Sequence, residues 1–237
     1  MNKIALLIRR SREYYLNHKI DFPHKLKSTS LKNWAYTKHN IDSWNIHFDM
    51  SYIEFRRELS RISFSSYSRN CFDRIYYWSD CDHLIQEKNL IVVPIDEDDW
   101  LSNSLVDNIR TLNLEACSAI SWKIIHIRND CKVTSLDGIR SCSYALKMPY
   151  PPDCLLFNWK FSKQMQDGEV QRINKILAVK VLNISSLARL RQSKQDYISM
   201  VENRFLVRDS DIFGDDFSPM VKQYNKLLTS LYDSYKG

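Results

Sequence analysis

Four acidic residues stand side by side in the middle of the chain and directly follow a hydrophobic run, residues 90–95. They are Asp96, Glu97, Asp98 and Asp99. Two like charges about 6 Å apart repel by roughly 3 kcal/mol at an effective dielectric constant of about 20. Carboxylates at the end of a buried strand must therefore lie in solvent, share protons or bind a cation.

Oxygen ligands at this spacing favour Mg²⁺ or Mn²⁺ as the cation. In an extended strand the side chains of Asp96 and Asp98 point to one side and that of Glu97 to the other. Such hard ions keep several waters, bridge to phosphates and neutralise the charge on a departing diphosphate. The same residues also fit a solvated loop, or negative charge that stabilises the N-terminus of the next helix. Residue chemistry alone leaves both interpretations open.

Around the acidic run the sequence resembles the D-x-D region of GT-A glycosyltransferases, and in particular a rhamnosyltransferase-like group. In that group a hydrophobic strand, an Asp-x-Asp-Asp run and an aromatic residue, here Trp100, precede a helix. Residues 141–146 (Ser-Cys-Ser-Tyr-Ala-Leu) and 185–190 (Ser-Ser-Leu-Ala-Arg-Leu) resemble two later segments of the same group, in the same order. Residues 1–85 lie outside the resemblance.

The resemblance implies a metal-dependent enzyme that moves a sugar from a nucleoside-diphosphate donor to a glycan or lipid-linked acceptor, with Mn²⁺ or Mg²⁺ as cofactor. Asp98 would bind the ion, and Asp96 would bind the ribose or bind the ion through water. Asp99 is a rival ligand, because a turn that begins at Asp98 would redirect its side chain. His126, at the end of an Ile-rich segment, is a further candidate metal ligand, since some members of this fold use a histidine.

Such an enzyme also needs basic residues that bind the donor's phosphates and a carboxylate that takes the proton of the acceptor. Enzymes of this type bind the nucleotide near the end of the first strand, which makes Arg9, Arg10 and Arg12 candidate phosphate ligands through their bidentate guanidinium groups. A reaction that inverts the anomeric centre requires a carboxylate base, for which Asp137 and Asp153 are candidates. The chain has only four glycines and neither a G-x-G-x-x-G nor a Walker loop. A diphosphate must therefore be held by a metal and by basic side chains.

These residues need a sheet that brings several strand ends together. The sequence predicts an α/β fold of the GT-A-like kind, with a twisted mixed sheet flanked by helices. The acidic run would lie at the carboxyl end of a central strand, where open α/β sheets bind ligands. A length of 237 residues suits one catalytic domain over residues 1–237, with residues 205–237 as a helical extension that docks on it.

Local patterns predict the strands. Continuous apolar runs indicate buried strands at residues 3–9, 90–93 and 118–127. Apolar and polar residues alternate over 43–48, which indicates a half-buried strand. The proline-rich residues 148–153 predict a rigid loop.

Caps and helical spacing predict the helices. Ser51, with Glu54 three residues later, predicts the start of a helix with the apolar face Tyr52, Phe55, Leu59 and Ile62. Ser102 or Asn103 would cap a second helix. A C-terminal helix carries a third apolar stripe: Val221, Tyr224, Leu227, Leu228, Leu231 and Tyr235.

Two other functions remain open at this point. Clustered carboxylates also serve two-metal nucleases and phosphoesterases. Their further ligands would come from a second acidic group, Asp209, Asp211, Asp215 and Asp216. A non-enzymatic nucleic-acid-binding protein would use the basic residues Arg56, Arg57 and Arg61 among aromatic neighbours. A net charge of +6 is small for that purpose, so no nucleic-acid partner is expected.

The cysteines and the N-terminus indicate a cytoplasmic protein. None of the six cysteines forms a C-x-x-C pair, and Cys71, Cys81 and His83 lack the close spacing that anchors a zinc site. Residues 4–8 are apolar but too few for a signal-peptide core, and no stretch approaches the ~20 apolar residues that cross a bilayer. Reduced thiols are therefore expected. The basic segment 9–32 fits contact with a diphosphate, with nucleic acid or with the inner face of a membrane.

Overall fold

The structure is a computed structural model and describes residues 2–9, 41–77, 84, 87–114, 117–137, 140–149, 170–183, 185, 194–208 and 211–237. The strands are β1 (Lys3–Arg9), β2 (Arg74–Tyr77), β3 (Leu90–Asp96), β4 (Trp100–Leu101), β5 (Ala119–Ile127), β6 (Val133–Leu136), β7 (Tyr144–Lys147) and β8 (Val170–Val181). The helices are α1 (Tyr52–Tyr67), α2 (Leu105–Arg110), α3 (Lys194–Asn203) and α4 (Gly214–Asp233). A 3-10 turn at Asp211–Phe213 precedes α4.

The described strands form one mixed sheet in the order β2-β1-β3-β7-β5-β8-β4, with β6 paired to β5. β1 runs parallel to β2 and to β3, and β8 runs parallel to β5. β7 is antiparallel to both β3 and β5, so β5 has the same direction as β3. The carboxyl ends of β1, β2, β3, β5 and β8 therefore lie at one edge. The coarse expectation of an α/β fold with a mixed sheet flanked by helices is confirmed.

The sheet is curled. β4 follows β3 after three residues, 97–99, yet β4 pairs with β8 at the other end of the strand order. Its partners on β8 are Ala178 and Val179, close to the end of that strand. The carboxyl end of β8 must therefore approach the carboxyl end of β3, although β7 and β5 separate the two strands in the sheet.

The apolar runs form the strands that the sequence predicts. β1, β3 and β5 occupy the predicted segments, and every residue of β3 from Leu90 to Ile95 is buried. Burial on both faces explains why these strands show a continuous apolar run rather than alternation. β1 is the second strand of the sheet order, with β2 on one side and β3 on the other.

One prediction is wrong, because residues 41–47 are helical and not extended. The alternation of apolar and polar residues fits a strand, yet the buried residues are Trp44 and Phe48, four positions apart on one helical face. Ile46, which a half-buried strand would bury with them, is 68% exposed. Trp44 packs against Phe55 of α1 with ring centroids 5.1 Å apart, so tertiary packing decides the conformation of this segment.

Helix α1 begins as predicted. The Ser51 hydroxyl oxygen accepts a hydrogen bond from the Glu54 amide at 3.2 Å, which satisfies one of the unpaired donors of the first turn. The helix buries Tyr52, Phe55 and Leu59 on the predicted face. Its position matters for function because α1 carries side chains that contact the acidic run.

Loss of this cap is expected to weaken the fold moderately. Ser51→Ala removes the acceptor for the Glu54 amide, so the free energy of unfolding should fall by about 1 kcal/mol. Urea unfolding followed by circular dichroism measures the change. Ser51→Asp is the control, because it retains a capping oxygen and should stay close to the unsubstituted chain. Equal stability of the alanine and aspartate variants would show that the cap contributes nothing.

The C-terminal helix α4 packs against α1. Its stripe joins Trp44, Phe55 and strand residues in one core cluster, and the shared members from the helix are Val221, Tyr224, Leu227, Leu228 and Leu231. Tyr235, predicted as the end of the stripe, lies beyond the helix and forms an isolated bridge with Phe48. Helix α2 begins after Ser104, one or two residues later than predicted.

Three remaining expectations are tested in part. Residues 150–153 of the predicted loop lie outside the described residues, whereas the Met148–Pro149 peptide bond is cis. Among the cysteines that the structure describes, Cys71, Cys117, Cys131 and Cys142 are free thiols, as expected. Across the described ranges, no helix combines the length and the apolar character that spanning a membrane requires.

Candidate functional site

Polar and charged side chains collect where the parallel strands end. Arg9 is the last residue of β1 and Asp96 is the last residue of β3. His126 and Lys180 are the penultimate residues of β5 and β8. Since these strands run in one direction, the four residues lie at the same edge of the sheet. The position between the ends of β1 and β3 is a topological switch point, because the chain continues to β2 on one side of β1 and to β3 on the other.

The acidic run forms a tight turn. β3 ends at Asp96, and the amide of Asp99 donates to the Asp96 carbonyl at 3.1 Å. The Tyr67 hydroxyl of α1 lies 2.8 Å from the Asp96 carbonyl oxygen and 2.6 Å from that of Asp99, so it contacts both ends of the turn. The expectation that Asp96 and Asp98 point to the same side is therefore wrong. Because the chain reverses, Asp96 and Asp99 share partners and Asp98 contacts a different set.

Asp96 carries a partly exposed carboxylate between two cations. Its Oδ1 lies 2.9 Å from Arg9 Nε, and its Oδ2 lies 3.6 Å from Lys180 Nζ. The Asp96 side chain is 36% exposed, whereas that of Arg9 is 4% exposed. Arg9 also donates to the Ser141 carbonyl at 2.6 Å. Burial opposes ionisation, but Arg9 and Lys180 outweigh it, so the pKa of Asp96 is lowered and the carboxylate is charged at neutral pH.

Asp99 is fully buried and shares Lys180 with Asp96. Its Oδ1 accepts a hydrogen bond from the Val181 amide at 2.9 Å, and its Oδ2 lies 3.7 Å from Lys180 Nζ. The Ser141 hydroxyl donates to Oδ2 at 3.3 Å and accepts a hydrogen bond from Lys180. Burial lowers the pKa of Lys180, yet the Asp99 and Asp96 carboxylates outweigh it, so the pKa of Lys180 is raised and the ammonium stays charged.

The environment of Asp99 predicts a pH dependence of stability. Burial, with the charges of Asp96 and Asp98, raises the pKa of Asp99 to about 7 although Lys180 opposes the shift. The unfolded value is about 4, so the folded state binds the proton more tightly. The contribution of Asp99 to stability is therefore complete below about pH 4 and is lost as the pH rises to about 7.

Asp99→Asn removes this titration. The stability of the variant relative to the unsubstituted chain should rise by roughly 1–3 kcal/mol between about pH 5 and about pH 8. Urea unfolding at several pH values, with EDTA present so that bound ions do not alter the titration, measures this difference. A difference that stays constant over the interval would contradict the raised pKa.

Arg56 of α1 neutralises the other two acids. Its Nη2 lies 2.6 Å from Glu97 Oε1, and its Nη1 lies 2.8 Å from Asp98 Oδ2. Arg56 is 4% exposed, Glu97 is 3% exposed and Asp98 is 7% exposed. Asn183 donates to Asp98 Oδ2 at 3.0 Å, and Arg56 Nη1 lies 3.3 Å from the Ser185 hydroxyl. Helix α1, the acidic turn and the segment after β8 therefore meet in one buried polar cluster.

Arg56 cannot belong to the basic surface that the sequence suggested for binding nucleic acid. Arg56 is buried on Glu97 and Asp98, so it cannot contact a nucleic-acid backbone. Arg57 and Arg61 are exposed, and Arg61 lies 2.6 Å from Glu58. The predicted surface therefore fails at Arg56 because charge neutralisation of the acidic turn takes that side chain inward.

The second acidic group, which a two-metal nuclease would require, has no described contact with the acidic run. Its residues are Asp209, Asp211, Asp215 and Asp216. Asp216 Oδ2 accepts a hydrogen bond from the Ser102 hydroxyl at 2.6 Å, and the Asp216 carbonyl oxygen lies 3.0 Å from Arg69. Asp211 and Asp215 are exposed, and Asp209 lies outside the described residues. No described contact joins this group to Asp96.

His126 lies next to Lys180 in the sheet, where the two residues are paired in register and so face the same side. Its Nε2 is buried without a hydrogen-bond partner among the residues that the structure describes. Burial lowers the pKa of His126, and the charges of Lys180, Arg128 and Arg140 lower it further. The imidazole is therefore neutral at pH 7, which is the form that binds metals or accepts protons.

The acidic turn, as it lies, does not fit a divalent ion. Asp98 Oδ2 is held by Arg56 and Asn183, and Asp99 is completely buried. Over the described part of the chain, no three His, Cys, Asp or Glu side chains are grouped as a metal ion requires. Among the predicted ligands, only Asp96 has an exposed carboxylate. The Mn²⁺ or Mg²⁺ site of residues 96, 98 and 99 with His126 stays a prediction.

The protein itself relieves the repulsion that made a cation necessary. Four carboxylates lie in the turn, and Arg9, Arg56 and Lys180 contact all four of them. Asp99, with its pKa of about 7, can also be protonated. The acidic residues therefore receive positive charge from side chains of the protein.

The predicted base and phosphate ligands are only partly described. Asp137 is exposed and lies 3.9 Å from Lys123, three residues before His126 on β5, which corresponds to about 10 Å along the strand. No described contact brings Asp137 to Asp96. The candidates Arg10, Arg12 and Asp153 lie outside the described residues.

Sequence reasoning missed Lys180, Asn183, Ser141 and the inward role of Arg56. Lys180 is the penultimate residue of β8 and Asn183 follows the strand by two residues, so polar residues at the end of an apolar strand were the available signal. Ser141 and Ser185 begin the two later segments of the resemblance, residues 141–146 and 185–190. Attention to side chains within those segments would have found both serines.

Comparisons with known proteins give no family for this chain. The scan against protein-family models finds no match, and the search of curated proteins finds none either.

Proposed function

We propose that this chain is a glycosyltransferase that takes a sugar from a nucleoside-diphosphate donor and attaches it to a hydroxyl of a glycan or lipid-linked acceptor. One observation carries the proposal: Arg9, Asp96 and Lys180 come from the ends of three parallel strands and meet at a switch point of the sheet. Ligands of open α/β sheets bind at such switch points. A carboxylate between two cations is suited to a ligand with both hydroxyl and phosphate groups.

A second observation supports the GT-A-like assignment of the fold. The three segments that resemble the rhamnosyltransferase-like group are far apart in sequence, yet the residues that begin the two later segments, Ser141 and Ser185, lie close to the acidic run. Ser141 contacts Asp99 and Lys180, and Ser185 contacts Arg56, which holds Glu97 and Asp98. Segments that build one site are expected to resemble one family together, so their convergence favours the resemblance over chance matches.

Residues at these strand ends can bind both the ribose and the diphosphate of the donor. The exposed carboxylate of Asp96 can accept hydrogen bonds from the ribose hydroxyls. Lys180 can donate to the diphosphate through its ammonium, and the buried Arg9 adds positive charge beside it. During transfer, the bond between the anomeric carbon and a phosphate oxygen breaks and a bond to the acceptor oxygen forms. The acceptor's proton leaves with the base, for which Asp153 remains a sequence-based candidate.

Nucleotide binding tests the proposal. UDP, GDP, CDP and dTDP are each added, with and without Mn²⁺, and thermal unfolding is followed. At a concentration of about 100 times Kd, a ligand adds about 2.7 kcal/mol of stability, which raises Tm by roughly 5–10 °C in a domain of this size. Nucleosides without phosphate are the control and should give much smaller shifts. If none of the four diphosphates raises Tm under either condition, the proposed function is wrong.

A further inference from the structure

Lys180 occupies the place between acidic residues that the predicted mechanism gives to a metal ion. Its Nζ lies 3.6 Å from Asp96 Oδ2 and 3.7 Å from Asp99 Oδ2, and it also contacts the Ser141 hydroxyl. The Lys180 side chain is 25% exposed, so part of it can be reached by a ligand at this edge of the sheet. Arg9 contacts Asp96 from β1, but its side chain is only 4% exposed, so it acts on a ligand through its charge and through Asp96.

Asp98, the second residue of the D-x-D pair, forms an ion pair with Arg56 and not with Lys180 or Arg9. Asp98 Oδ2 contacts Arg56 at 2.8 Å and Asn183 at 3.0 Å. Moving Asp98 to a metal would break its contacts with Arg56 and Asn183 inside a buried cluster and leave Arg56 with only one of its two acidic partners. A divalent ion between Asp96 and Asp99 would have to displace Lys180 as well.

We propose that Lys180, together with Arg9, supplies the counter-charge for the donor's diphosphate, so that the nucleotide binds without a divalent ion. This inference rests on the proposed function and changes one part of it, the predicted dependence on Mn²⁺ or Mg²⁺. Lys180 contacts the phosphates, the buried Arg9 adds positive charge behind Asp96, and Asp96 accepts hydrogen bonds from the ribose hydroxyls. The charge that a metal supplies in a D-x-D enzyme comes here from two side chains at the ends of β1 and β8.

The first test needs no variant. Calorimetry measures the affinity of the unsubstituted chain for the nucleoside diphosphate that raises Tm most, once in EDTA and once in Mn²⁺. The expected result is binding in EDTA with an affinity within a factor of about three of that in Mn²⁺. Binding that requires Mn²⁺ would overturn the inference and leave the proposed function standing. Absence of binding in both buffers would overturn both.

A variant then assigns the effect to Lys180. In EDTA, Lys180→Met should lower affinity for the nucleoside diphosphate by about 10- to 100-fold and reduce the preference for diphosphate over monophosphate. That preference reports on the phosphate contact and does not change with a small loss of stability. Lys175→Met is the matched control, because Lys175 is exposed on the same strand and contacts Asn108 at 3.0 Å. An unchanged preference in Lys180→Met would overturn the role of Lys180.

Lys180→Arg is a second variant that separates the loss of positive charge from a loss of folding. Arginine keeps the positive charge and its hydrogen-bond donors, so this variant should retain most of the preference for diphosphate in EDTA. If Lys180→Met does not fold, Lys180→Gln takes its place, and the comparison of EDTA with Mn²⁺ in the unsubstituted chain still decides the inference. A Lys180→Gln variant that keeps the full preference would also overturn it.

Discussion

Replacing Arg56 by alanine is expected to lower the free energy of unfolding by about 3–5 kcal/mol. The substitution leaves Glu97 and Asp98 buried without the guanidinium that contacts both of them at 2.6 Å and 2.8 Å. Two carboxylates must then either take up protons or draw water into the cluster, and both responses destabilise the folded state. Urea unfolding at pH 7 measures the effect.

Arg57→Ala is the matched control for this substitution. Arg57 is the next residue on the same helix but is exposed, so its removal should change stability little. Arg56→Lys retains one positive charge but cannot contact both acids through a fork, and it should fall between the two alanine variants. If Arg56→Ala and Arg57→Ala have the same stability, the buried ion pairs of Arg56 with Glu97 and Asp98 do not stabilise the fold.

Asp96→Asn is expected to weaken binding of a nucleoside diphosphate by about 10- to 100-fold. The amide replaces one of the two carboxylate oxygens by a donor, so it accepts fewer hydrogen bonds from the ribose. It also loses the charge that holds Arg9 at 2.9 Å and Lys180 at 3.6 Å. Calorimetric titration measures the affinity, and circular dichroism verifies that the variant is folded.

An aspartate remote from these strand ends provides the comparison for Asp96. Asp107 is exposed in the first turn of α2, and Asp107→Asn should leave nucleotide affinity unchanged. Together the two substitutions separate a local effect at the end of β3 from a general effect of reduced negative charge. Full nucleotide affinity in a folded Asp96→Asn variant would remove Asp96 from the site.

The parts of the fold that were predictable are those in which local signals agree with the final packing. β3 is a run of buried apolar residues, and α1 has both a cap at Ser51 and an apolar face. Residues 41–47 were not predictable in this way, since the alternation over residues 43–48 indicates a strand whereas the segment folds as a helix. Packing of Trp44 against Phe55 and Tyr52 decides between them, and it involves residues that the local pattern does not include.

The candidate site was predictable in its location and not in its geometry. The position of Asp96 after an apolar run sufficed to place it at the carboxyl end of a strand. The turn that separates Asp98 from Asp96 depends on Tyr67 and Arg56, about 30 to 40 residues earlier in the chain. Lys180 reaches Asp99 only because the sheet curls, and its contact spans more than 80 residues, beyond the range of any local pattern.

A crystal structure of the chain with a bound nucleoside diphosphate, grown in EDTA, tests the central claim most directly. Phosphate oxygens are expected about 3 Å from Lys180 Nζ, with a ribose hydroxyl on the Asp96 carboxylate. The nucleotide should lie between the ends of β1 and β3. A nucleotide bound elsewhere, with Arg9, Asp96 and Lys180 in contact only with one another, would contradict it.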